Sequence, residues 1–246
     1  MARTEVVVDT LDGPCRTTLH TPPTGGPRPG VLCYPDAGGV RETFAAMADR
    51  LAALGFAVLL PDIYHRTPYA PFDTTTLFGD PEEFARLTAL TRTLTPEMVV
   101  ADAGALLAAL AARPEVADGG LGVVGYCFGG AMALRAAAHH PARVAAAMTV
   151  HGGGLAADDD PASPHHVVDR IRAAVHVAAA TDDPAFDDEQ HRRLRAAFDV
   201  AGVRATIETV PAAHGFAVPD NPTHDDAADL RHRETLAAFL GEHLGA

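Results

Sequence analysis

Short apolar runs alternate along this chain with longer stretches whose apolar residues recur at helical spacing. Residues 30–34, 56–60, 121–124, 144–150, 174–180 and 204–210 read as buried strands, being brief, rich in Val, Leu and Ala, and bounded by Gly, Pro or Asp. Residues 41–54, 96–112, 129–138, 187–200 and roughly 223–244 carry helical periodicity, and 166–172 reads as a short helix. Before the first buried run, 5–9 and 15–20 alternate apolar with polar residues around Asp12-Gly13-Pro14, which predicts an antiparallel hairpin. Residues 21–29 form a Pro/Gly-rich connector. The least regular part is 65–95, with Phe72, Phe78 and Phe84 and a possible short helix from Pro81, so it is expected to form a cap or pocket wall, or a surface loop. Strands alternating with helices imply an α/β fold: a mostly parallel sheet with helices on both faces. The length, 246 residues, suits one domain over 1–246.

Composition narrows the function classes. The formal charge is −13, and lysine is absent, which argues against nucleic acid or an anionic membrane as partner. A small-molecule substrate is expected instead. Three cysteines, Cys15, Cys33 and Cys127, are too few and too scattered for a disulfide framework or a zinc site, and no metal or organic cofactor is expected. No stretch resembles a signal peptide or reaches the length of a membrane span, so a reducing cytoplasm is the expected compartment.

The chemistry gathers at Gly125-Tyr126-Cys127-Phe128-Gly129-Gly130. A cysteine between glycines two before and two after it, at a strand-to-helix turn, is the thiol form of the turn that lifts a nucleophile above a sheet. Such a turn brings neighbouring backbone close, and only glycine leaves room for it. Packing alone could also explain a glycine-flanked junction, so the remaining strand ends decide. Asp182-Asp183 follows one later strand and His214 follows the last, which gives the order nucleophile, acid, histidine found in α/β hydrolases. His214 would take the thiol proton, and an aspartate would fix the imidazole tautomer. The residues alone leave Asp182 and Asp183 both open, since one of them could cap the turn before Pro184. The N–H groups of Phe128 and of Ala37, in the Gly-rich loop 35–40, are the expected oxyanion hole. His151, followed by three glycines after the strand at 144–150, could line the site or only end that strand, and reads more readily as a strand terminus.

In combination, Gly125 to Gly130, Pro61-Asp62-Ile63-Tyr64 and His214-Gly215-Phe216-Ala217 resemble the dienelactone hydrolase family, α/β hydrolases with a Cys-His-Asp triad. The resemblance runs from Pro29 to the C-terminal helix. It implies that the acid is Asp183, which stands before a short segment leading to a helix. It also implies that Asp36, where the family usually has glutamate, helps to ionise the thiol once substrate binds; bonding within its own loop is the other role open to it. Where the family holds a substrate carboxylate with an arginine four residues beyond the histidine, this chain has Val218, and Arg41 or Arg66 are the available substitutes. The expected activity is hydrolysis of an ester, lactone or thioester through an acyl-cysteine, in a pocket lined by Tyr64, Phe72, Phe78, Phe216 and Val218. Two rivals are a catalytically silent binding protein of the same fold and a class I glutamine amidotransferase. The latter needs a Glu close after its His, and none follows His214.

Overall fold

The computed structural model describes residues 1–23, 25–181 and 183–245. The hairpin pairs β1 (Ala2–Thr10) with β2 (Gly13–Thr21), and β2 joins β4 (Ala57–Pro61) antiparallel. From there the sheet is parallel: β4, β3 (Gly30–Tyr34), β5 (Leu121–Tyr126), β6 (Val144–Val150), β7 (Ala174–Ala180) and β8 (Ala205–Val210) lie side by side in that order. β3 and β5, which carry the loops of interest, are central strands.

Helices cover both faces. α1 (Glu42–Ala53) and α6 (Asp226–Leu244) bury Phe44, Leu51, Leu236 and Leu240 against Val31, Cys33, Val58 and Val124 of one face. α3 (Pro96–Ala111), α4 (Phe128–His139) and α5 (Asp188–Ala201) pack on the opposite face over Leu32, Leu59, Val123 and Val175. The alternation of β3, with Val31 and Cys33 to one side and Leu32 and Tyr34 to the other, follows from the two-residue repeat of a strand. With both faces covered, every residue of β3, β4 and β5 is buried.

Local chemistry sets the helix ends. Asp80 accepts from the N–H groups of Glu82 and Glu83 at the start of α2 (Pro81–Thr91), and Thr95, Asp187 and Asp225 cap α3, α5 and α6 in the same way. Gly202, at φ 66°, ends α5. The Asp225 cap explains why α6 begins at Asp226 and not near 223: Asn221 and Thr223 are taken up in a turn of their own. The short helix expected at 166–172 is a 3₁₀ turn at Pro164–Arg170. Among the described residues no single helix is long and apolar enough to cross a membrane, and α2 and α3, which reach that length together, are bent by 70° and pack into the core.

Candidate active site

The glycine pattern around residue 127 has a steric cause. Cys127 stands between β5 and α4 at φ 52°, a left-handed conformation that a non-glycine residue adopts at a cost. A Cβ on Gly125 would fall on the carbonyl of Gly129, and one on Gly129 would fall on the carbonyl of Pro35. At Gly130 a Cβ would come within 2.6 Å of Thr149 Oγ1. These close approaches hold the turn sharp and leave the thiol projecting at the N-terminus of α4.

Two loops converge on it. His214 Nε2 lies 3.0 Å from Cys127 Sγ, and His214 Nδ1 lies 2.7 Å from Asp183 Oδ2. The other oxygen of Asp183 accepts from the Ala185 N–H at 2.8 Å, so both oxygens of a carboxylate that is 1% exposed are engaged. Asp182 lies outside the described residues. Burial works against a charged imidazole at His214, but the hydrogen bonds to Asp183 and Cys127 outweigh it and push its pKa up to about 10. Both contacts thus favour the protonated form of the ring beside the sulfur.

Behind His214 stands His151, its ring 5.2 Å away edge-on, with Phe216 at the same distance on another side. Burial holds His151 well below the usual histidine range, and neither of its nitrogens has a hydrogen-bond partner among the described residues. It is a ring held neutral by burial and packed against that of His214, more than a strand terminus.

Phe128 and Ala37 both border the same cavity as Cys127, and among the described residues no acceptor takes the backbone N–H of either. The Tyr64 hydroxyl donates to the Ala37 carbonyl at 2.8 Å and pins that loop. Asp36 does not engage the thiol. Its carboxylate accepts from the Gly38 N–H at 2.9 Å and from both terminal nitrogens of Arg41 at 2.7 and 2.9 Å. Asp36 thus takes the second role open to it, bonding within its own loop, and the guanidinium of Arg41 claims the rest of the short side chain. Arg41 in turn bonds both oxygens of Asp220, which also accepts from the Thr43 hydroxyl.

The cavity, about 500 Å³, is walled by Thr74, Leu77, Phe78, Phe84 and Leu87 from residues 65–95 and by Phe128, Ala131 and Arg135 from α4. Of the five side chains expected to line it, Phe78 does. The other four belong to the core. Tyr64 packs edge-on against Tyr69, Phe72 lies between Tyr69 and the guanidinium of Arg86, and Phe216 and Val218 are fully buried on the α1/α6 side. Arg66 is committed elsewhere, to Asp102 and Asp12. Sequence reasoning missed Leu77, Leu87, Arg135 and Asn221 at the cavity, although 128, 131 and 135 fall on one helix face by spacing alone. Among the described residues no three His, Cys, Asp or Glu side chains are grouped so that they could hold a metal ion.

A family model described as the dienelactone hydrolase family matches residues 15–244. A carboxymethylenebutenolidase of Pseudomonas sp. (strain P51) is 37% identical over 117 residues, 47% of this chain and 47% of that one. The chain spans about half the length of this relative and of another from Methylorubrum extorquens. The crystal structure of P91, a dienelactone hydrolase-like promiscuous phosphotriesterase from metagenomic libraries, superimposes with a TM-score of 0.76 at 30% identity, covering 100% of both chains. A Klebsiella pneumoniae structure named for the dienelactone hydrolases reaches a TM-score of 0.85 over 98% of both chains at 21% identity, a likeness of fold.

Proposed function

The chain belongs to the dienelactone hydrolase family, and from that premise we propose that it hydrolyses an ester, lactone or thioester of a small molecule through an acyl-cysteine at Cys127. The observation that carries this reading is the unbroken line of sulfur, imidazole and carboxylate, with contacts of 3.0 and 2.7 Å. With the proton on His214, Cys127 attacks as a thiolate, and its Sγ bonds to the acyl carbon while the carbonyl oxygen takes up charge against the N–H groups of Phe128 and Ala37. As the tetrahedral centre collapses, the bond to the leaving oxygen or sulfur breaks and His214 Nε2 supplies that atom's proton. Water then gives a proton to His214 and its oxygen to the acyl carbon; the C–S bond breaks and the acid leaves. Asp183 positions the ring and stabilises its charged form throughout.

The amidotransferase reading loses support because the partner of His214 comes from a separate loop at Asp183, not from a neighbouring Glu. A small-molecule substrate suits a cavity of this size, and a reducing compartment such as the cytoplasm suits a free nucleophilic thiol.

The test is hydrolysis of p-nitrophenyl acetate, with mass spectrometry for an acetyl group on Cys127. Turnover and the adduct are expected in the parent protein and neither in Cys127→Ala. Undiminished turnover in that variant overturns the reading. A silent binding protein is distinguished by alkylation: iodoacetamide should label Cys127 faster than it labels free cysteine. Cys15 and Cys33 are unsuitable as internal references, since burial pushes both thiols up to about 12.

A further inference from the structure

Phe128, Ala131 and Arg135 stand three and four residues apart on α4 and border one cavity with Cys127, so a single helix face leads from the nucleophile to a guanidinium. Eight residues at the rise of an α-helix separate Cys127 from Arg135 by roughly 12 Å along the axis. The arginine side chain, leaning toward the helix N-terminus, shortens that span. The same cavity has an apolar wall of Leu77, Phe78, Phe84 and Leu87.

Arg135 differs from the other arginines near the site. Arg41 and Arg66 are each bonded to two carboxylates. Arg135 has one hydrogen-bond partner among the described residues, the carbonyl of Ala162, to which its Nη1 donates, and it forms no ion pair. Asp160 also borders the cavity, but it accepts from the Ala162 N–H at 2.8 Å and is not within ion-pair distance of the guanidinium. Burial lowers the pKa of Arg135 even against the charges of Asp160 and Glu97, as expected of a partly buried cation without a contacting anion. Arginine stays charged regardless, so most of its five donors await a planar, bidentate acceptor.

We propose that Arg135 anchors a carboxylate at the far end of the acyl chain, so that the site selects acyl groups bearing a terminal acid beyond an apolar spacer. This rests on the hydrolase reading above. The leaving atom must lie beside His214 to receive its proton, which leaves the acyl portion to run along α4. The apolar wall then covers the methylenes, and the carboxylate meets the guanidinium where its charge-assisted bonds replace lost hydration.

The test compares mono-p-nitrophenyl esters of succinic, glutaric, adipic and suberic acids with the same esters capped as methyl esters at the other end. The parent protein should favour the free acid by about tenfold or more in kcat/KM, mostly through KM, the worth of one charge-assisted contact. The preference should be greater for adipate and suberate than for succinate, because the shortest chain cannot span the wall. Arg135→Met should abolish it, and Arg135→Lys should retain part, with thermal unfolding as the check that both variants fold. Asp160→Asn should enlarge it by removing a like charge. Equal rates for free and capped esters, or an unchanged ratio in Arg135→Met, overturn the anchor while leaving the hydrolase reading in place. If no ester is cleaved, the hydrolase reading has failed. Calorimetry with suberate then decides the anchor by itself: binding weakened at least tenfold by Arg135→Met supports it, and no such difference overturns it.

Discussion

Replacing Asp183 by Asn isolates what one oxygen atom does at this site. Asn is nearly isosteric, and its carbonyl can keep the hydrogen bond from the Ala185 N–H, so the loop should hold its shape. The amide NH2 then faces His214 Nδ1, where a carboxylate oxygen stood at 2.7 Å. It must donate, which leaves Nδ1 without its proton and puts the proton of a neutral ring on Nε2, facing the sulfur. Such a ring cannot accept the thiol proton. With the Asp183 contribution gone and burial still opposing the charge, the pKa of His214 falls from about 10 toward or below the ordinary value near 6.5. At pH 8 the charged ring would drop from nearly complete to roughly 3% or less of the population. The reversed tautomer adds to that loss, so kcat/KM should fall by about 10³ to 10⁴, or some 4 to 5.5 kcal/mol of transition-state stabilisation. The assay is p-nitrophenyl acetate hydrolysis from pH 5 to 10 alongside iodoacetamide labelling of Cys127. Because the native pKa is raised, the alkaline limb of the parent profile should lie near its upper end, and the variant's limb should move to lower pH. A variant keeping more than a tenth of the parent rate, with its alkaline limb unmoved, would refute the reasoning.

Two further outcomes follow from contacts described above. Gly125→Ala drives a methyl group into the Gly129 carbonyl, and since both partners are backbone the turn must open; a stability loss on the order of 3 kcal/mol in urea, with loss of turnover, is expected. Arg41→Met strands Asp36 and Asp220, whose side chains are 10% and 27% exposed, and should cost about 2 to 4 kcal/mol of unfolding free energy. A loss under about 1 kcal/mol would mean that water already compensates those carboxylates.

The parts of this molecule that were legible in its sequence are those fixed by short-range sterics or by topology. Glycines at 125 and 129 are demanded by backbone approaching backbone, so the pattern itself reports the turn. His214 was found because the C-terminal ends of parallel strands open on one side of the sheet, and β5 and β8 obey that rule. The cavity wall was less legible. Whether Phe72 or Phe78 faces the substrate depends on the path of a segment with little regular structure, and that path is set by distant partners such as Arg86, which takes the Phe72 ring. Phe216 and Val218 misled for a related reason: adjacency to His214 in the chain says nothing about direction, and both turn inward. The fate of Asp36 turned on an ion pair that the sequence could not assign, because Arg41 had Asp220, 179 residues away, as its second partner.

That double ion pair joins two parts of the site that lie far apart along the chain. Arg41 and Asp36 come from the loop after β3, while Asp220 lies six residues beyond His214, between β8 and α6. The loop after β3 is therefore clasped only when the segment after β8 has docked, and a chain nicked or frayed there would release both His214 and the loop that faces it. On the proposed mechanism, turnover would report on the joining of these two segments, and a partly assembled molecule would carry an idle thiol.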